Sequence, residues 1–267
     1  MMLDVVQLLQ FELGTACNLG GLHDLCPNRH RDRYVELDCR RQLDDETILS
    51  LAKQAYGALG FAGLVGWAYY NEPLLQRERM FALMDRIRRD VPQSRFLLWT
   101  NATLLPEDLR PFAAFERIMV SHYDEARPDD DRLDRLIRTA PVTVMKHQIL
   151  DDRLDRKHPG AVPNFCLRPF VEFVVDGFGN VHLCCFDWRG EVCPGNVFRE
   201  PFADIVERWR GWVQAMAIMP ISDDAPAACK RCGYKQWSYQ NHDLPSILRA
   251  EAWRRELWNK VHKPIGV

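Results

Sequence analysis

The chain has no surplus of either charge and no long apolar run. Its 35 Lys and Arg against 37 Asp and Glu leave a formal net charge of −2 over 267 residues, with the two signs mixed along the sequence. That balance offers no electrostatic footprint for nucleic acid or an anionic membrane surface, and neither is expected as a partner. No stretch reaches the roughly 18 uninterrupted apolar residues of a transmembrane helix. The opening MMLDVVQLLQFEL carries Asp4 and Glu12 and lacks a basic n-region and a cleavage site. It reads as a strand with its lead-in rather than a signal peptide, and a cytoplasmic location is expected. Internal repeats and low-complexity tracts are missing as well, and no cysteine occurs between Cys39 and Cys166.

What is present begins with nine cysteines, unevenly placed: Cys17, Cys26 and Cys39 early, then Cys166, Cys184, Cys185, Cys193, Cys229 and Cys232. In a reducing compartment such a set is no disulfide framework; clustered cysteines there bind metal or do chemistry. Cys166 and Cys184 flank a hairpin-like run with Gly179 between them, C-x12-G-x4-C, and Cys229 and Cys232 form CKRC. Four thiolates on short loops can enclose a structural zinc or an iron–sulfur cluster, and spacing does not separate the two. Cys193 and Cys185 read by default as small buried hydrophobes, with a spare thiol or a substrate-facing group as alternatives.

The first 150 residues alternate strand and helix. VVQLLQFEL, FAGLVGW, RFLLWTN, RIMVSHY and VTVMKHQIL read as strands. Between them DDETILSLAKQAYGAL shows helical spacing at Ile48, Leu51, Ala52 and Ala55, and EPLLQRERMFALMDRIRRD shows it at Leu75, Met80, Leu83, Met84 and Ile87. LPEDLRPFAAF and DDDRLDRLIRT complete four helices. Repeated βα units imply an α/β protein with a parallel sheet, doubly wound or a partial barrel, whose functional edge lies after the C-terminal ends of the strands. From about Asp151 a polar connector leads to the hairpin VEFVVDGFGNVHLCC, the helix FADIVERWRGWVQAM and a final helical stripe, SILRAEAWRRELWNKV.

Taken in order, CNL…CPN after the first strand, EP after the second, TNAT after the third, and C-x12-G-x4-C…C-x2-C resemble the radical S-adenosylmethionine (SAM) superfamily. The C-terminal part, with CCFDWRGEVCPGNVFREPFADIVERW, is similar to its twitch domain, the short form of SPASM. The resemblance implies a partial parallel (β/α)5-6 barrel over residues 1–155, a small twitch-like auxiliary-cluster domain over 156–240, and a C-terminal helix, 241–267, packed on the barrel. It implies two [4Fe–4S] clusters, one core and one auxiliary, and SAM as cofactor. In the family, three cysteines of a CxxxCxxC loop hold a cluster whose open iron binds SAM, and reductive cleavage gives a 5′-deoxyadenosyl radical. An electron donor such as flavodoxin or ferredoxin and a small-molecule or peptide substrate follow from the same likeness.

The loop itself departs from the family. Cys17 and Cys26 match its first and third cysteines, but the middle position holds His23, and the loop reads C-x5-H-x2-C. Either His23 is the third ligand, as imidazole is in Rieske centres, or the core is degenerate and the clusters serve binding or electron transfer without SAM cleavage. Cys39, twelve residues beyond Cys26, ranks last as the missing ligand. For SAM the resemblance points to Glu72 and Asn71 after the second strand, Asn101 after the third and Ser121 ending the fourth. Asn71 and Ala102 stand where the family has glycine. The auxiliary ligands would be Cys166, Cys184, Cys229 and Cys232. Arg168 and Asp187 lie next to them, as an ion pair or as substrate contacts. Tyr69 and Tyr70 are placed at the pocket mouth or in packing, and His30, Arg31 and Arg33 form a solvated patch or an anion contact. Oxidation of a substrate C–H bond is the reaction this arrangement favours.

Overall fold

The computed structural model describes residues 6–20, 39–123, 126, 128–147, 172–184, 187, 190–216 and 223–231. The first strand, β1 (Leu8–Phe11), is buried along its whole length. A continuous apolar run suits a strand with parallel neighbours on both sides, and β1 has them: β2 (Leu64–Trp67) on one side and β6 (Glu172–Val175) on the other. Beyond β2 come β3 (Arg95–Thr100), β4 (Arg117–Tyr123) and β5 (Val142–His147), each parallel to the last. Beyond β6 lie two short antiparallel strands, β7 (Asn180–His182) and β8 (Gly195–Asn196). The sheet is therefore an open one of eight strands in the order β5-β4-β3-β2-β1-β6-β7-β8.

Helix α1 (Asp45–Tyr56) starts at Asp44, whose carboxylate accepts the Thr47 N–H at 2.8 Å, and buries the expected Ile48, Leu51, Ala52 and Ala55. Helix α2 (Arg77–Asp90) buries Met80, Leu83, Met84 and Ile87. Leu75, expected on the same stripe, is exposed. It lies in a 3-10 turn, Pro73–Gln76, that precedes α2, so the helical phase of the stripe does not extend to it. The helix expected over 105–115 is reduced to a 3-10 turn at Arg110–Ala114. Pro111 explains the difference, since proline inside a helix removes a donor and clashes with the carbonyl one turn earlier. Helix α3 (Asp130–Thr139) follows its cap Asp129, and α4 (Phe202–Met216) and α5 (Ala227–Arg231) follow β8. The final helical stripe, 246–261, lies outside the described residues.

Parallel register puts aligned residues on one face. Phe11, Trp67, Phe96 and Phe173 share the helix-covered face. Phe173 packs against Phe202 and Trp209 of α4 at 5.7 and 5.3 Å between ring centroids, and Arg88 of α2 sits over the Phe96 ring. The other face carries the polar positions. Gln10 donates to Glu172 at 2.8 Å, Trp99 donates its indole N–H to Ser121 at 2.8 Å, and Gly66 leaves room where a Cβ would lie 2.7 Å from Leu8.

Candidate active site at the C-terminal strand ends

The loops after β1, β2, β3 and β6 converge on one edge of the sheet, held together by buried carboxylates. Glu72, after β2, is almost wholly buried. Its Oε1 accepts the Thr100 hydroxyl at 2.6 Å and the Leu74 N–H at 3.0 Å, and its Oε2 accepts the Asn101 N–H at 2.8 Å. Its own backbone N–H donates to the Ala16 carbonyl at 3.0 Å. Burial pushes the carboxyl above its ordinary value, against the lowering effect of the Thr100, Asn101 and Leu74 hydrogen bonds. Glu72 thus joins the end of β3 to the loop that carries Cys17.

Asn101 completes that junction. Its amide donates to Asn18 Oδ1 at 2.9 Å; Asn18 donates to the Thr103 hydroxyl at 2.7 Å; and Thr103 donates to Asn101 Oδ1 at 2.6 Å. The three side chains form a closed ring of hydrogen bonds. Ala102, between two of them, has φ 59°, the left-handed region. Asn71 had been the expected site of a glycine-like backbone, but among the described non-glycine residues only Ala102 has positive φ. Asn71 instead accepts the Tyr69 N–H at 3.2 Å on its side-chain oxygen. Ser121 is buried at the end of β4 and holds the Trp99 indole.

Two residues at this edge escape sequence reasoning. Glu12, one residue past β1 and fully buried, accepts the Tyr70 N–H at 3.2 Å and the Gly177 N–H at 2.8 Å, tying together the ends of β1, β2 and β6. The available signal is an acidic residue closing an apolar strand. Arg79 of α2 pairs with Asp45 at 2.6 Å and donates to Gln76, the Leu43 carbonyl and the Leu13 carbonyl. It clamps the chain leaving β1 to both flanking helices, and nothing in its local sequence marks it.

The hairpin after β6 holds a second buried polar group. Asp176 accepts the Phe178 and Asn180 N–H groups, both at 2.9 Å, and faces His182 Nε2 at 3.0 Å; His182 Nδ1 lies 3.3 Å from the Asp187 carbonyl. Burial acts to lower the His182 pKa, but the Asp176 hydrogen bond and charge, with Asp187, outweigh it and raise it. Burial raises the Asp187 carboxyl, which receives the Glu191 and Val192 N–H groups at 2.9 and 2.8 Å. The Tyr69 ring lies tilted against Tyr70 and His182, with centroids 4.1 and 4.9 Å away, so the end of β2 touches this hairpin.

Of the expected ligands, Cys17, Cys184 and Cys229 are described, each half-buried, on the loop after β1, at the end of the hairpin and in α5 respectively. His23, Cys26, Cys166 and Cys232 lie outside the described residues, as do Cys185, Arg168 and the patch His30, Arg31 and Arg33. Among the described residues no three ligating side chains come together. Cys193 is half-buried as well; burial pushes its thiol up to about 12, and it donates to the Gly195 carbonyl.

Residues 166–233 match the SPASM family, an iron–sulfur cluster-binding domain. The chain's fold is that of solved structures of BtrN and anSMEcpe. BtrN in complex with AdoMet and 2-DOIA is 21% identical, over 79% of this chain and 87% of that one, with a TM-score of 0.63. BtrN in an open conformation is 19% identical, over 88% and 98%, at 0.59. The protein anSMEcpe with bound AdoMet and the Kp18Cys peptide is 13% identical, over 93% and 87%, at 0.53. No curated protein matches the sequence. The SPASM match opens just before β6 and ends after α5, so it takes in the buried Asp176–His182 hairpin, Cys184 and Cys229. The family match bears out the resemblance of the C-terminal part, and the fold bears out the open α/β partial barrel. No helix among the described residues is long and apolar enough to cross a membrane.

Proposed function

We propose that the protein is a radical SAM enzyme that oxidises a small molecule or peptide with the help of an auxiliary [4Fe–4S] cluster. The observation that carries this reading is the convergence of the Cys17 turn, Glu72 and the Asn101 turn on one sheet edge, on a fold shared with AdoMet-bound structures and followed by the SPASM match. A core cluster with SAM supplies the 5′-deoxyadenosyl radical for hydrogen abstraction. The chain's part is placement. Glu72 fixes the end of β3 against the Cys17 loop, Asn101 and Ser121 offer polar groups at the strand ends, and Cys17, His23 and Cys26 hold the core cluster. Cys166, Cys184, Cys229 and Cys232 would hold the auxiliary one, which would accept an electron from the substrate or bind it. Both substrate classes have support: BtrN was solved with 2-DOIA and anSMEcpe with a peptide. An electron donor of the flavodoxin or ferredoxin kind belongs to the same proposal, as does the division at 155 and 240. The strand β6 of the second segment nevertheless lies in the first segment's sheet.

The C-x5-H-x2-C loop favours a second reading, a relative that keeps its clusters without cleaving SAM. Anaerobic reconstitution separates the two, with iron and sulfide counted in wild type and in Cys17→Ala/Cys26→Ala, and 5′-deoxyadenosine assayed with SAM and dithionite. About eight irons falling to about four, with 5′-deoxyadenosine from wild type alone, is the expected result. About four in both, without SAM cleavage, moves the assignment to the second reading, and stoichiometric zinc excludes both.

A further inference from the structure

Cys17 sits between two residues that are each bound to a different strand end. Ala16 accepts the Glu72 backbone N–H at 3.0 Å, and Asn18 belongs to the ring with Asn101 and Thr103. The cysteine's own carbonyl accepts the Gly20 N–H at 3.2 Å, closing a turn, and Leu19 is buried beneath it. The ring spends the Asn18 side-chain oxygen and one amide hydrogen on protein partners, although Asn18 as a whole is exposed and water stands ready to satisfy it. Exposed neutral hydrogen bonds stabilise little on balance, so the ring's worth lies in placement. The backbone at Ala102 points the same way. A non-glycine residue in the left-handed region is strained by its Cβ, and here that conformation turns Asn101 and Thr103 so that both side chains reach Asn18. Glu72 then holds the Asn101 N–H from behind.

We propose that the Asn18–Asn101–Thr103 ring is a positioning device that fixes Cys17 as a core-cluster ligand before the rest of its loop is placed. The inference rests on the radical SAM reading. Its physical motive is the length of the loop. In C-x5-H-x2-C the extra residues fall between Cys17 and His23, and a longer loop raises the entropy cost of bringing three ligands to one cluster. Anchoring the first ligand to the end of β3 makes its position independent of that length. Cys17 is then set by the third strand, and only His23 and Cys26 remain to be gathered.

The test reconstitutes the full-length wild type, Asn18→Ala, Thr103→Val and Thr103→Ser. For each, iron is counted and the electron paramagnetic resonance spectrum of the dithionite-reduced protein is recorded with and without SAM. Far-UV circular dichroism and a thermal melt report folding separately. Wild type should hold about eight irons and show a SAM-dependent change in its spectrum. Asn18→Ala and Thr103→Val should fall toward about four irons, or keep the iron and lose the SAM-dependent change, while remaining folded. Thr103→Ser retains the hydroxyl and should behave as wild type. Wild-type iron and spectra in Asn18→Ala and Thr103→Val would overturn the inference and leave the radical SAM reading standing. Equal losses in Thr103→Ser and Thr103→Val would also overturn it, since the hydroxyl would then not be the operative group. About four irons in wild type itself would remove both.

Discussion

Glu72 shows how one buried residue can be legible in type and illegible in role. Its position after β2 and before Pro73 is visible in the sequence, but of its three accepted hydrogen bonds only the one from Leu74 is local, and the other two come from Thr100 and Asn101 at the end of β3. As a carboxylate it presents only acceptors to donors that are all fixed. Glutamine must turn its NH2 toward either the Asn101 N–H or the Leu74 and Thr100 donors, leaving at least one buried donor unmatched. Glu72→Gln should therefore lose about 1 to 3 kcal/mol of stability at neutral pH by urea unfolding, with a weaker response to SAM. The pH dependence has a definite sign. A carboxyl raised above its ordinary value in the folded state contributes stability below that ordinary value and loses it as pH rises through the folded one. Glu72→Gln should flatten the stability profile in that window, and an unchanged slope would count against the burial argument. Asn71 and Ala102 make the complementary point. Both replace an expected glycine, and only Ala102 keeps the left-handed backbone.

Helix capping is local: Asp44 before α1 and Asp129 before α3 both accept the N–H three residues on. Burial works against ionisation of Asp44, yet its hydrogen bonds with Thr47 and Arg41 hold the carboxyl below its ordinary value. That depression contributes stability above the ordinary value, lost as pH falls through the folded one. Asp44→Ala should cost about 1 kcal/mol at neutral pH, and Asp44→Asn, an equally good cap, should retain most of it without the acid-side loss. Denaturant titrations of the three proteins at neutral and acidic pH decide this. The element the sequence misjudged, 105–115, failed for an equally local reason, Pro111 inside an apparent helical run. Leu75 was lost to a 3-10 turn that only the Glu72 cap and Pro73 together define.

At the scale of the molecule, the sheet runs without a break from β5 to β8, and Glu12 is one side chain that ties the ends of β1 and β2 to the hairpin after β6. Replacing it by glutamine leaves either the Tyr70 or the Gly177 N–H facing a donor, a loss of about 1 to 3 kcal/mol. Hydrogen exchange should show the loss at the ends of β1, β2 and β6 and in the hairpin beyond Gly177, with β4 and β5 unaffected. Protection lost evenly over the sheet would mean that Glu12 carries global stability and does not serve as this link.

The sequence by itself determined the βα alternation, the hairpin, the cysteine groups and the family resemblance. Each depends on hydrophobic period, turn chemistry or ligand spacing within a short window, where the chain's own geometry sets which residues meet. Only the tertiary structure decided that Glu12, Glu72 and Arg79 tie distant loops together, that Asn18 closes a ring with Asn101 and Thr103, and that burial raises the Cys193 thiol. Those facts depend on partners far away in sequence, such as the 165 positions from Glu12 to Gly177, and on desolvation, which arises when separate elements pack over one another and leaves no local pattern to read.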